Sequence, residues 1–222
     1  MAYFVLQIVG LIFGGIGMVG TLAATFMPQW RVSAHIDGNI VVFETIWEGL
    51  WMACASQLGI RLQCKFYDSI LSLSPPLEAF RALMCTAVVL SIISFLLAIV
   101  GVKYTRRNKV ISIFILAAGL SFLLTGILVL IPVSWSAGSI IRDFYDPKVP
   151  TPLKRELGAA LYVGWVSSAL LIIAGAMYSI FWCWRQFSSF AVYYCHTHLL
   201  SAMNTGHVIT WALCLSTVKR KI

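Results

Sequence analysis

The sequence predicts an α-helical membrane protein: a left-handed four-helix transmembrane bundle carrying a small extracellular antiparallel β-sheet. Three observations predict it. Of the 222 residues, 60% are hydrophobic and only 11% are charged, against roughly a quarter charged in soluble domains. The apolar residues gather in four runs, each close to the ~20 residues needed to cross the hydrocarbon layer. Between the first two runs lies a stretch with turn residues, strand-like alternation and a close cysteine pair, Cys54 and Cys64.

The first run spans about 4–27. It has no basic stretch before it and is longer than the apolar part of a cleaved leader, so it reads as a retained helix. Gly10 and Gly14 stand four apart on one helix face, with Gly15, Gly17 and Gly20 nearby. Small residues at that spacing let another backbone approach closely, and here they are expected to pack within the chain's own bundle. Pro28 ends the helix because it cannot continue the hydrogen-bond ladder.

Residues 28–81 form a large extracellular loop. Strand-like runs occur at Gln29–His35, Asn39–Trp47, Leu50–Cys54 and Ile60–Phe66, with a turn at Asp37-Gly38-Asn39, whose residues tolerate positive φ. Cys54 and Cys64 are the only extracellular pair among six cysteines; they predict a disulfide, which requires an oxidising compartment. Ser74-Pro75-Pro76 turns the chain into the second span, about 82–102. The third runs over about 110–131 and keeps helical spacing outward through Ile140-Ile141. A second extracellular loop, 135–158, contains Asp146-Pro147-Lys148-Val149-Pro150, where each proline forces the preceding residue to be extended. The fourth span covers about 159–182, and residues 185–222 form an atypical cytoplasmic tail, so the bundle unit is 1–184.

Charge fixes the orientation. Lys103, Arg106, Arg107 and Lys109 lie between the second and third spans, and Arg185, Lys219, Arg220 and Lys221 lie after the fourth, with no acid among them. All eight acidic residues fall in the two opposite loops, beside eight bases. This positive-inside asymmetry predicts that both termini are cytoplasmic. It also excludes nucleic acid as a partner, since the bases flank helices and form no stripe on a folded face.

No catalytic constellation is present. His35 has no ligand-type neighbour at metal spacing, and Cys195, His196 and His198 lack further ligands. No ionisable residue lies inside the four spans, which argues against an ion path through the bundle. An enzyme, a metal site and a cofactor are therefore not expected. Cys183, at the inner end of the fourth span, is a candidate for palmitoylation, and the chain's main solvent is membrane lipid.

Trp30, Gly49-Leu50-Trp51, Cys54 and Cys64 resemble the W…GLW…C…C motif of the claudin and peripheral myelin protein superfamily. Met27–Ser33, Arg81, Ile131–Trp135, Ile141–Tyr145 and Arg155–Gly158 narrow the resemblance to claudins, over about residues 1–184. Trp47–Trp51 and Gln63-Cys64-Lys65 are similar to the claudin eight and claudin seventeen branch. The resemblance implies a plasma-membrane, tight-junction structural protein. Such a protein binds itself and other claudins in cis and in trans, forms strands, and makes a paracellular barrier or a charge-selective channel. The other role open within the superfamily is an auxiliary or signalling subunit that modulates a receptor or channel.

The resemblance also implies residue roles. Trp30, Gly49, Leu50, Trp51 and Arg81 seat the sheet on the helix ends. Lys65 occupies the position of a selectivity charge and implies anion preference. Ile70 is the residue that inserts into a neighbouring subunit, and Phe144 and Tyr145 form the pocket that receives it. The chain departs from claudins in four places, one being a short inner loop that lacks the cysteines common in this branch. Its terminal Lys219-Arg220-Lys221-Ile222 replaces the usual Tyr-Val and argues against scaffold PDZ proteins as partners. His35 stands where an aromatic is usual, and 146–150 matches only in part the motif of claudins that bind a clostridial enterotoxin.

Overall fold

The computed structural model describes residues 2–33, 44–57, 61–67, 75–104, 111–150 and 154–203. The expected turn at Asp37-Gly38-Asn39, His35 and Ile70 lie outside them. The chain divides into two compact units, Met1–Tyr178 and Ser179–Ile222. The bundle and sheet considered below belong to the first.

Four helices are long and apolar enough to cross a membrane: α1 (Ala2–Phe26), α2 (Pro75–Tyr104), α3 (Ile111–Tyr145) and α4 (Ala159–Met203). Five short strands form one antiparallel sheet in the order β4-β3-β2-β1-β5: β1 (Arg31–Ser33), β2 (Glu44–Glu48), β3 (Met52–Gln57), β4 (Arg61–Phe66) and β5 (Arg155–Leu157).

The glycines of α1 pack inside the chain, as expected. A Cβ on Gly14 would meet the Phe122 ring of α3 at 2.7 Å, and one on Gly10 would meet the Tyr178 ring of α4 at 3.2 Å. Phe122 and Tyr178 stack with centroids 6.1 Å apart. The Tyr178 hydroxyl donates to the Gln7 carbonyl at 3.0 Å. The missing side chains of α1 thus leave room for two aromatic rings between the helices, which a Leu or Val at those positions would occupy.

Two expectations need correction. The strand expected at Leu50–Cys54 begins at Met52, because Gly49 through Trp51 turn under the sheet. There the Gly49 amide donates to the Met52 carbonyl at 3.0 Å. Residues 155–157 form a fifth strand beside β1, beyond the four strand-like runs expected in the first loop. A three-residue strand carries too little alternation to be read from sequence. The fourth helix runs on past the expected span to Met203. No Gly or Pro stands between Trp182 and Met203, so no residue there breaks the backbone ladder. The first part of the tail is therefore helical.

Candidate functional site

The sheet is attached to the bundle at a junction of five residues. Trp30 is 3% exposed and Leu50 is 1% exposed. Both enter a core built from Ala24 of α1, Phe80 and Met84 of α2, Val133 and Ile140 of α3, and Leu161 of α4. One side chain from each of two sheet connections thus plugs the outer end of all four helices. Apolar burial drives this, and one hydrogen bond aims it: Trp30 Nε1 donates to the Ala24 carbonyl at 2.8 Å. That carbonyl lies in the last turn of α1, where carbonyls otherwise lack helical partners.

Gly49 has a different role. A Cβ there would meet Pro28 Cα at 2.5 Å and the Met27 carbonyl at 3.0 Å. The connection after β2 crosses the end of α1 with no space for a side chain. Arg81 completes the junction from α2. Its Nε donates to the Leu50 carbonyl at 2.6 Å. Its guanidinium lies 5.1 Å from the Trp51 ring centroid and 5.4 Å from that of Tyr67. A planar cation on an aromatic face is held by the ring quadrupole, most firmly where water is scarce.

Tyr67 was not singled out by sequence. Its hydroxyl donates to the Gly49 carbonyl at 3.4 Å, and its amide donates to the Trp51 carbonyl at 3.4 Å. Burial, with the nearby Glu48 charge, pushes its phenol above the usual value, against the opposing pull of Arg81 and Arg31. Tyr67 therefore enters the stack as a neutral donor at physiological pH. The one available signal was its place as an aromatic three residues after Cys64.

Cys54 and Cys64 form the expected disulfide between β3 and β4, opposite each other in the ladder. Closing a loop of this length stabilises by roughly 2–3 kcal/mol in the chain-entropy picture. The ladder also sets which residues share a face. Lys65, Ala53, Glu48, Arg31 and Leu157 are opposite neighbours in successive strands, so their side chains leave the sheet on one side. Toward β5 this face is closed. Arg31 donates to the Ser139 hydroxyl at 3.3 Å, and Arg155 pairs with Glu48 at 2.8 Å. Toward β4 it is open, forming a cleft of about 700 Å³ lined by Ile46, Ala53, Ala55, Gln63 and Lys65 among others. Lys65 is exposed there.

The Arg155–Glu48 pair ties the connection between α3 and α4 to that between α1 and α2. Glu48 lies on the same sheet face as Lys65. In the structure its carboxylate is engaged by Arg155, and Lys65 stands two strands away.

Phe144 and Tyr145 are brought together at the outer end of α3, edge to face, 5.5 Å apart. With Ile140, Ile141, Leu157 and Tyr162 they line a pocket of about 300 Å³. The Lys154 ammonium sits 5.4 Å from the Phe144 ring centroid. The pocket is mostly apolar, with Arg155 and Glu156 also in its lining, and is open on the surface. Ile70, its expected counterpart, is outside the described residues. Cys183 is an exposed free thiol.

Comparison with known proteins agrees with this geometry. The PMP-22/EMP/MP20/Claudin family profile matches residues 4–178, which takes in the junction, the sheet and the pocket. The chain is 55% identical to claudin-8 of Mus musculus over 193 residues, 85% of this chain and 86% of the relative. It is 58% identical to claudin-17 of Sus scrofa over 187 residues, covering 82% and 83%. It is 46% identical to claudin-3 of Homo sapiens over 175 residues, covering 78% and 80%. A latched five-stranded sheet on four apolar helices, matched over most of its length by claudins, places this chain in the claudin group of the PMP-22/EMP/MP20/Claudin family.

Proposed function

We propose that this protein is a structural component of tight junctions in the plasma membrane. It polymerises with itself and other claudins, within one membrane and across the gap, and bounds a paracellular path that favours anions. The observation that carries this reading is the division of the outer surface into two unlike features. A charged, open sheet face lies toward β4, and an apolar pocket lies at the end of α3. A pocket that accepts a side chain from elsewhere on a second copy makes a head-to-tail contact, and such contacts build filaments and not closed pairs. Both termini are cytoplasmic in this reading, which the positive-inside asymmetry supports. Cys183, exposed near the inner end of the fourth span, serves as an acylation site.

Lys65 supplies the charge preference. Lys65 shares its face with the cations Arg31 and Arg155 and with the carboxylate of Glu48. A fixed charge acts only over about 8 Å at physiological salt, so selection needs a narrow path lined by repeated Lys65 side chains. Lys65→Glu is expected to lower the chloride-to-sodium permeability ratio by about fivefold or more, since a unit charge about 4 Å from an ion contributes about 1 kcal/mol even in water. Dilution potentials across monolayers lacking other claudins measure this. An unchanged potential removes Lys65 from the path.

The pocket makes a separate prediction. Ile70→Asp places a carboxylate where an apolar side chain is to be buried, and an unpaired charge strongly opposes burial. Surface delivery of the variant is expected to stay normal while strands disappear from freeze-fracture images. Strands of normal density would show that Ile70 does not join subunits.

A further inference from the structure

We propose that the free edge of the sheet is anchored in the bilayer: Phe66, the last residue of β4, inserts into the phospholipid interface on the sheet's side of the membrane. Three observations lead there. First, β4 is an edge strand, and its Phe66 is 65% exposed. A large ring left open to water is costly, and an exposed apolar group beside membrane spans marks a contact surface.

Second, Phe66 is joined through its chain neighbour Tyr67 to the foot of the uncharged run of α2. The uncharged run of α2 begins at Ala82, directly after Arg81. Arg81 is the residue that stacks on Trp51 and Tyr67, and Tyr67 follows Phe66 in the chain. The cross-strand partner of Phe66 is Met52, next to Trp51. Beside Arg81 on α2, Phe80 meets Trp135 of α3, which is 66% exposed, edge-on at 6.4 Å. Trp165 of α4 donates from Nε1 to Ser134, next to Trp135, at 3.3 Å. Trp and Tyr gather where headgroups meet hydrocarbon, and Phe66 is joined to this belt through Tyr67 and Arg81.

Third, the two ends of the sheet are held differently. At the β5 edge, Gly158 and Ala160 donate to the Trp30 and Gln29 carbonyls at 3.1 and 3.0 Å, and Arg155 pairs with Glu48. At the β4 edge, Tyr67 and Arg81 tie the strand end to the bundle. A lipid contact at Phe66 steadies that edge and fixes the height of Lys65, its neighbour on the opposite face, above the bilayer. The anchor deepens the reading of Lys65 but does not depend on ion selectivity.

Leu62 supplies the control. It lies on the same strand and the same face, four residues from Phe66, and is 64% exposed. At about 3.3 Å per residue it stands some ~13 Å farther out. The full chain is reconstituted in phosphatidylcholine vesicles with benzoylphenylalanine in place of Phe66 or of Leu62, then irradiated. An intact Cys54–Cys64 disulfide, read by mass, confirms the fold in both. The expected result is a phospholipid adduct from position 66 and none above background from position 62. Equal adducts at both positions, no lipid adduct at 66, or an adduct at 66 only to a second copy of the chain would each overturn the anchor.

Discussion

Trp30→Ala is expected to destabilise the protein by about 3–5 kcal/mol, the range for removing a large aromatic from a packed core. The ring is 3% exposed and touches a core drawn from all four helices. Its loss opens a cavity at the point where the sheet meets the bundle and leaves the Ala24 carbonyl without its donor. Trp30→Phe separates the two effects. It keeps most of the apolar volume and removes the donor, so a loss of about 1 kcal/mol is expected, the usual net worth of one hydrogen bond. Denaturant unfolding in detergent micelles, followed by tryptophan fluorescence against wild type, measures both variants. An Ala variant as stable as the Phe variant would mean that the ring is not the plug described.

Gly49→Ala is expected to be nearly as damaging, although it adds only a methyl group. The methyl carbon would lie 2.5 Å from Pro28 Cα and 3.0 Å from the Met27 carbonyl. Those are backbone atoms at the end of α1 and cannot swing aside as a side chain can. Overpacking of this kind typically costs 1–3 kcal/mol or more. Because the sheet and α1 must separate to admit the methyl, Arg81 would also lose its geometry on the Leu50 carbonyl. Gly138→Ala provides the contrast. A Cβ at Gly138 has nothing within 4 Å, and the residue lies inside α3. Replacing a helical Gly by Ala there is expected to stabilise by about 0.5–1 kcal/mol. The same substitution should therefore shift the melting midpoint down at 49 and up at 138. Two shifts of the same sign would sink the close-approach account of Gly49.

The helices were legible in the sequence because a 20-residue apolar run has few alternatives, and the glycine face of α1 was legible because four-residue spacing fixes a helix face. The disulfide followed from an isolated extracellular pair. The junction was harder. Trp30, Leu50 and Arg81 lie far apart in sequence, and composition alone does not show that they meet. The motif resemblance brought them together, and the geometry then supplied the reasons. Tyr67 was missed because its stack with Arg81 is a contact between a strand end and a helix foot, which leaves no periodic trace. β5 was missed because a short edge strand is created by its partner: Arg155–Leu157 is held by β1 and by the Arg155–Glu48 pair. The continuation of α4 was missed because hydropathy reports where a membrane ends, not where a helix does.

These contacts seat the sheet on the ends of the helices, and in the proposed reading its open face and the α3 pocket are the surfaces that other copies meet. The most direct test expresses the chain, tagged in two colours, in separate fibroblast populations that lack claudins, and images where the two kinds of cell touch. The account predicts that both colours concentrate in the same continuous lines at the contacts and that freeze-fracture shows strands there. Chains that remain evenly spread as single particles at those contacts, in cells that deliver them normally to the surface, would contradict it.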